Sequence, residues 1–340
     1  MTQTRPRISQ VPESHRLAAA ERLVTVEGPV RRRAARALLE NAARSGIDPS
    51  LMWASFDPSR GRGWVGQVCL VVPGGGRTAM LFLSSPGPER PLGSLSDQHE
   101  QRVGVLLAAT RGVAEIPSLD LAVAQALPEP AEAWAIRACV DAGMTHVGDL
   151  TYLRREAPRE RALVDPAELD WGPGVSVRRV GDLHDPEDRA ALLLALDRSY
   201  EQTLDCPELC GLRSTPDVLA SHESTGVLDP RHWWIVELEG EPHGCILMSR
   251  CPDQDALELV YLGLSTALRG RGLGRRLLER AMRSAGSRSL RWVTCAVDQR
   301  NTPAITLYDR LGFRAFTSRA AYVLPLGVQR KPKEPTRKAL

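Results

Sequence analysis

Aromatic residues are scarce in this chain, and little of its charge is unbalanced. Aromatics make up 5% of the 340 residues, although seven of them are tryptophans, and the formal net charge is only +3. So weak a basic balance does not call for a nucleic-acid partner. Long apolar runs are missing too. None approaches the roughly 20 residues needed to cross a bilayer, and the polar stretch 1–16 lacks the apolar centre of a secretory signal. The seven cysteines (69, 139, 206, 210, 245, 251 and 295) are odd in number and share no spacing. They outline no disulfide framework, and Cys206 and Cys210 lack the second ligand pair of a structural zinc site. Reduced thiols, no metal, no membrane, no nucleic acid and a cytoplasmic location are therefore expected. Oligomeric state is left open.

What is present is an ordinary globular balance, 43% apolar and 25% charged, in a chain long enough for two domains. One segment carries more information than the rest. Leu257 to Ser265 is an apolar run that reads as a buried strand. The glycine-rich stretch Arg269-Gly-Arg-Gly-Leu-Gly274 follows, and Leu273, Leu277, Leu278 and Ala281 then recur at helical spacing. Strand, glycine loop and helix together aim bare backbone N–H groups outward from a helix N-terminus, an arrangement suited to phosphate. Arginines 269, 271, 275 and 276 surround it.

Two common phosphate loops fail here. No Lys-Ser or Lys-Thr follows the glycines, as a P-loop needs, and the third glycine of a dinucleotide fingerprint would fall on Arg275. The spacing Arg269-x-x-Gly272-x-Gly274 instead resembles the pyrophosphate loop of the GNAT superfamily of CoA-dependent N-acetyltransferases. Downstream, Arg291 to Val297 reads as another buried strand and Thr302 to Leu311 as a helix stopped by Gly312. Asn301, Ala304, Leu307, Tyr308, Gly312 and Phe313 are similar to the second motif of that superfamily, in order and at the matching separation. The resemblance covers about residues 175–325.

It implies an α/β fold with a mixed sheet, in the order β-α-(α)-β-β-β-α-β-α-β. The N-terminal half gives a fainter copy of this order, from a strand at Leu23–Val26 to a last strand at Val147–Leu153. The chain thus resembles tandem members of the superfamily, with the first copy degenerate. The expected division is a loose tail at 1–16, a degenerate GNAT-like domain at 17–154, a linker at 155–174, a catalytic domain at 175–327 and a basic tail at 328–340. In the first copy, prolines 86, 88 and 91 occupy the glycine-loop position and remove amide donors. Cys139 stands where Tyr308 stands, and Glu132 where Asn301 does.

The resemblance also implies roles. Acetyl-CoA would be the co-substrate and a small-molecule amine the acceptor. Backbone groups of Leu262, Gly263 and Leu264 would meet the pantetheine arm, with the Leu262 and Gly263 amides facing the developing oxyanion. The loop Arg269, Gly270, Arg271, Gly272, Leu273, Gly274 and Arg275 would hold the pyrophosphate. Asn301 would bond the CoA arm or hold its own loop, the alternative being a plain helix start. Glu258 is the candidate base, against a reading as a solvent-facing strand carboxylate. Tyr308 is the candidate acid, against a core tyrosine. Tyr200, Glu201 and Asp205, with Glu208, would give the acceptor cleft an acidic lip, or else be ordinary solvated charges. A non-catalytic CoA-binding sensor on the same fold is the competing function.

Overall fold

A computed structural model of the chain describes residues 6–61, 63–88, 92–158, 169–284 and 290–327, so the basic tail at 328–340 and half of the expected linker lie outside the described residues. The first half runs β1 (Arg7–Gln10), α1 (Arg16–Leu23), α2 (Val30–Asn41), β2 (Met52–Phe56), β3 (Val68–Pro73), β4 (Thr78–Leu83), α3 (Leu95–Ala114), β5 (Val123–Ala126), α4 (Ala133–Asp141) and β6 (Thr145–Glu156). The second half repeats the order as β7 (Val175–Arg179), α5 (Pro186–Tyr200), α6 (Thr215–Glu223), β8 (Trp233–Leu238), β9 (Glu241–Cys251), β10 (Ala256–Leu264), α7 (Leu273–Ser284), β11 (Trp292–Asp298), α8 (Thr302–Arg310) and β12 (Arg314–Pro325). The chain is a tandem α/β repeat.

Local chemistry explains the elements. Trp233, Trp234, Ile235 and Val236 are all fully buried because helices cover both faces of β8, which is why that strand reads as an unbroken apolar run. α7 buries Leu273, Leu277, Leu278 and Ala281 along one stripe and leaves its arginines outside. Ser214 and Asp217 form a reciprocal capping box on α6, and Asp185 caps α5 just before Pro186.

The strands form one mixed sheet in the order β1-β2-β3-β4-β5-β12-β6-β11-β10-β9-β8-β7. The two halves therefore exchange their last strands. β6 leaves the first half to lie antiparallel between β11 and β12, and β12 returns to lie between β5 and β6. Packing follows the exchange: Leu153 joins the core of the C-terminal half, while Ala320 and Tyr322 join that of the N-terminal half.

Three expectations need correction. The tail at 1–16 is structured from Arg7, which pairs with Phe56 at the sheet edge, and Val11 donates its N–H to the Met52 carbonyl at 2.8 Å. An edge strand is covered on one side only, so its short, polar-flanked sequence shows no strong pattern. Leu23–Val26 is not a strand: α1 ends at Leu23, and the residues after it are apolar because they wall a cavity. Within the expected linker, Arg155 and Glu156 complete β6, and Trp171 is buried beneath the Arg276 guanidinium, 4.9 Å from its ring.

Candidate active site

The site exists because two parallel strands part. β10 and β11 pair only through Ala256–Trp292, Leu257–Val293 and Glu258–Thr294. β10 then bulges between Leu259 and Tyr261 and diverges. The V between them opens into a cleft of about 260 Å³, with walls that include Leu259, Leu262, Leu264, Asp205, Asn301 and Tyr308.

The strand edge facing this cleft can be assigned. Ser265 donates its N–H to the His243 carbonyl at 2.7 Å, continuing the β9–β10 ladder. Antiparallel ladders alternate, so Gly263 faces Cys245, and Leu262 and Leu264 turn their backbone groups away from β9 toward the opening. A Cβ on Gly244 would meet the Gly263 carbonyl at 2.4 Å, which places that carbonyl on the β9 side. The expectation of a Gly263 amide facing the cleft is thus corrected by the pleat. The Leu264 carbonyl is occupied by Arg269 Nε at 2.9 Å.

Beyond β10 the glycine loop turns into α7. Gly270 (φ 76°) and Gly272 (φ 74°) hold left-handed backbone, where a side chain would be strained. The Leu273, Gly274 and Arg275 amides lie in the first turn of α7 and have no acceptor within the helix. The arginines differ from expectation, because most are engaged with protein. Arg269 donates to the carbonyls of Leu264, Gln202 and Ser199, tying the loop after α5 to the end of β10. Arg275 pairs with Glu279 at 3.0 Å, and Arg276 donates to the Asp170 carbonyl. Arg269 is a clamp by its side chain, so Arg269→Gln is expected to cost about 1–2 kcal/mol of stability, allowing for its exposure. Thermal melts of Arg269→Gln beside Arg271→Gln test this, and equal melting temperatures for the two would refute it.

Glu258 is the last β10 residue to pair with β11, and the cleft wall begins at the next residue, Leu259. Its direct cross-strand neighbours are Ser249 and Thr294, whose side chains share its face of the sheet. The Cys251 Sγ lies 3.5 Å from Glu258 Oε2. Burial, only partly opposed by that thiol, holds the carboxyl above the ordinary glutamate range. Tyr152, on the exchanged strand β6, has its phenol pushed up by burial and then by the Glu258 charge.

Tyr308 sits on α8, 6% exposed, its ring 5.6 Å from Phe313. Burial first, then the neighbouring Cys295 and Asp205, hold its phenol well above its usual range, so it stays protonated at neutral pH. Among the described residues no group hydrogen-bonds its hydroxyl. Asn301 caps α8, its Oδ1 accepting from Ala304 N–H at 3.3 Å, so the helix-start reading holds for that oxygen.

The acidic lip does not assemble as expected. Glu201 is exposed and lines no part of the cleft. Glu208 is taken by Arg300 through contacts of 2.6 and 2.8 Å. Asp205 turns inward and accepts the Asp298 N–H at 2.8 Å; although solvent reaches this residue, the protein packed about its carboxyl raises it. Tyr200 packs its ring 5.5 Å from that of Tyr261 at a tilt of 52°, and burial raises its phenol.

Several residues escaped the sequence reading. Tyr261 shares a 2.7 Å hydrogen bond with Ser199 and lies 5.3 Å from the His222 ring on α6. Burial, then Arg213, pushes His222 down to about 4, so it is neutral. Arg213 reaches Thr78 of the first half at 3.1 Å. The β3–β4 turn packs so closely on α6 that a Cβ on Gly76 would stand 1.9 Å from the Asp217 carbonyl. Asp298, fully buried, accepts from Cys206 N–H and from Arg300, fastening the α5–α6 loop to the end of β11. Nothing in a lone Asp at a strand end announces such a role.

Residues 197–313 match the model of the Acetyltransferase (GNAT) family. The chain is 32% identical over 187 residues to the mycothiol acetyltransferase of Beutenbergia cavernae, a match spanning 54% of this chain and 61% of that protein. It is 29% identical over 185 residues to the mycothiol acetyltransferase of Streptomyces bingchenggensis, spanning 53% and 57%. The matched region is thus about three fifths of each relative's length. A GCN5-related N-acetyltransferase from Sphaerobacter thermophilus superimposes with a TM-score of 0.54 at 16% identity, covering 96% of this chain and 98% of that one, a likeness of fold.

Proposed function

We propose that the protein is an N-acyltransferase that moves an acetyl group from acetyl-CoA to the amine of a small molecule, with one active cleft per chain. The observation that carries this reading is the parting of β10 from β11 after Glu258 and Thr294. It leaves the Leu262 backbone and the Leu264 N–H on an open edge between the glycine loop and Tyr308, the Leu264 carbonyl being held by Arg269. That edge suits the amide-bearing arm of CoA, paired as a strand would be, and the first-turn amides of α7 suit its pyrophosphate. Acetyl-CoA supplies the acyl group as an activated thioester.

The chain's own groups then divide the proton work. An alkylammonium with a pKa near 10 must lose a proton before its nitrogen can attack. Glu258, at the apex of the V, takes that proton, directly or across a water. The Leu262 amide donates to the carbonyl oxygen as the C–N bond forms. Tyr308 gives its proton to sulfur as the C–S bond breaks. The matched relatives are named mycothiol acetyltransferases, which supports a small-molecule acceptor. Asp205 on the cleft wall, and Tyr200 behind the wall residue Tyr261, would shape its pocket.

Tyr308→Phe tests the acid. It keeps the ring against Phe313 and removes only the hydroxyl, so kcat should fall about 100-fold with CoA affinity retained. An unchanged kcat would show that the thiolate leaves without it.

A further inference from the structure

A larger cavity, about 570 Å³, lies in the N-terminal half. It opens where β4 and β5 part after pairing Thr78–Val123, Ala79–Ala124 and Met80–Gln125. It is the counterpart of the C-terminal cleft: Met144 N–H donates to the Cys139 carbonyl at 3.0 Å, just as Phe313 N–H donates to that of Tyr308 at 3.0 Å. Its chemistry is different. The wall is built from residues such as Leu83, Leu38, Ala34, Leu127 and Trp134, and among the described residues it includes no Lys, Arg or His and one acidic residue, Glu132. Phe82 and Val26, at 49% and 43% exposed, also face it.

Among the described residues of the loop, the polar groups are turned to protein and not to a phosphate. Gly87 donates its N–H to Gln98 Oε1 at 2.9 Å, and Gln98 Nε2 donates to the Gly87 and Gly93 carbonyls. Pro86 and Pro88 have no N–H to offer. Yet the open strand edge is kept. The Gly74 N–H bond to Thr78 O and the Ser84 N–H bond to Val68 O set the alternation along β4. That alternation turns the Leu81 and Leu83 backbone toward the cavity.

We propose that this cavity binds a neutral single-chain ligand, an alkyl chain with an uncharged hydrogen-bonding head such as an amide. The volume is of the size of small-ligand sites and the lining is apolar, as such sites are. Glu132 Oε2 already accepts the Glu129 N–H at 2.8 Å, so an amide head can donate to the other oxygen and pair with the strand edge at Leu81 and Leu83. A carboxylate or phosphate head would meet the Glu132 carboxyl, and among the described residues no cation lines the wall, the Arg102 guanidinium lying against the Trp134 ring, 4.7 Å from its centre. Burial holds that carboxyl above its usual range, consistent with an apolar setting.

The test is displacement of Nile red, an uncharged fluorophore, from the full-length chain. Saturation at one site per chain is expected, with displacement by decanamide about 15-fold tighter than by octanamide, since each of the two extra buried methylenes contributes roughly fourfold. Decanoate should displace at least tenfold more weakly than decanamide. Ala34→Trp, which fills the cavity, and Phe82→Glu, which charges its mouth from a half-exposed position, should each weaken binding tenfold or more. Phe82→Glu decides the matter should Ala34→Trp fail to fold. Binding unaltered in Phe82→Glu overturns the site, decanoate equal to decanamide overturns the head-group assignment, and competitive displacement by acetyl-CoA shows a CoA cleft instead.

Discussion

Replacing Glu258 by Gln is expected to lower kcat/KM about 100- to 1000-fold while leaving CoA affinity near its original value, the scale of a lost general base. Glutamine keeps the size and the position beside Ser249 and Thr294 and removes only the ability to accept a proton. The pH profile sharpens the expectation. Burial raises the Glu258 carboxyl, so the unaltered enzyme should gain activity with rising pH along a limb displaced above the ordinary glutamate range. Glu258→Gln should lose that limb. Stability moves the other way. An acid whose folded pKa lies above its unfolded value is held protonated by the fold, so ionisation erodes stability as pH climbs from the unfolded toward the folded pKa. At neutral pH the Gln variant should therefore melt no lower than the parent, which separates lost chemistry from lost structure. A Gln variant with full activity and an unshifted acidic limb would remove Glu258 from the mechanism.

The second large effect concerns the boundary between the halves. Residues 169–340 expressed alone should fail to give a soluble monomer that binds CoA, although they contain every motif of the cleft. β6 supplies the strand between β11 and β12, pairing with all of Trp292–Asp298 on one side and from Arg314 to Val323 on the other. Without it, β11 keeps only its three-residue pairing with β10. Two long unpaired edges flanking the site invite aggregation. Co-expression with residues 1–158 should restore solubility and binding if the exchange is the reason. A monomeric, CoA-binding C-terminal half would show that β12 closes its own half unaided.

The cleft was legible in the sequence to the extent that its chemistry lies in short local patterns. A strand, a glycine loop with two left-handed positions, an asparagine cap and a tyrosine one helical stretch later all follow from spacing along one chain segment. The exchange of β6 and β12 was not legible, because each strand carries the same alternation whichever neighbour it pairs with. The role of Arg269 was misread for a related reason. Spacing shows an arginine beside a phosphate loop, but only the fold brings the carbonyls of Ser199, Gln202 and Leu264 around it. Asp205 and Glu208 look alike in sequence, yet one turns inward toward Asp298 and the other pairs with Arg300. The first strand was misplaced because an edge strand needs little hydrophobicity, while the apolar Leu23–Val26 serves a cavity wall.

Transfer of an acetyl group at the cleft between β10 and β11 is the central proposal. Thiol release from acetyl-CoA by the full-length protein, read across a panel of small primary amines with product mass confirmed, tests it most directly. The expected result is release matched one-to-one by an acetylated amine and abolished to background by combining Glu258→Gln with Tyr308→Phe. Tight CoA binding with no amine acetylated anywhere in the panel would contradict it and favour a sensor built on the same fold.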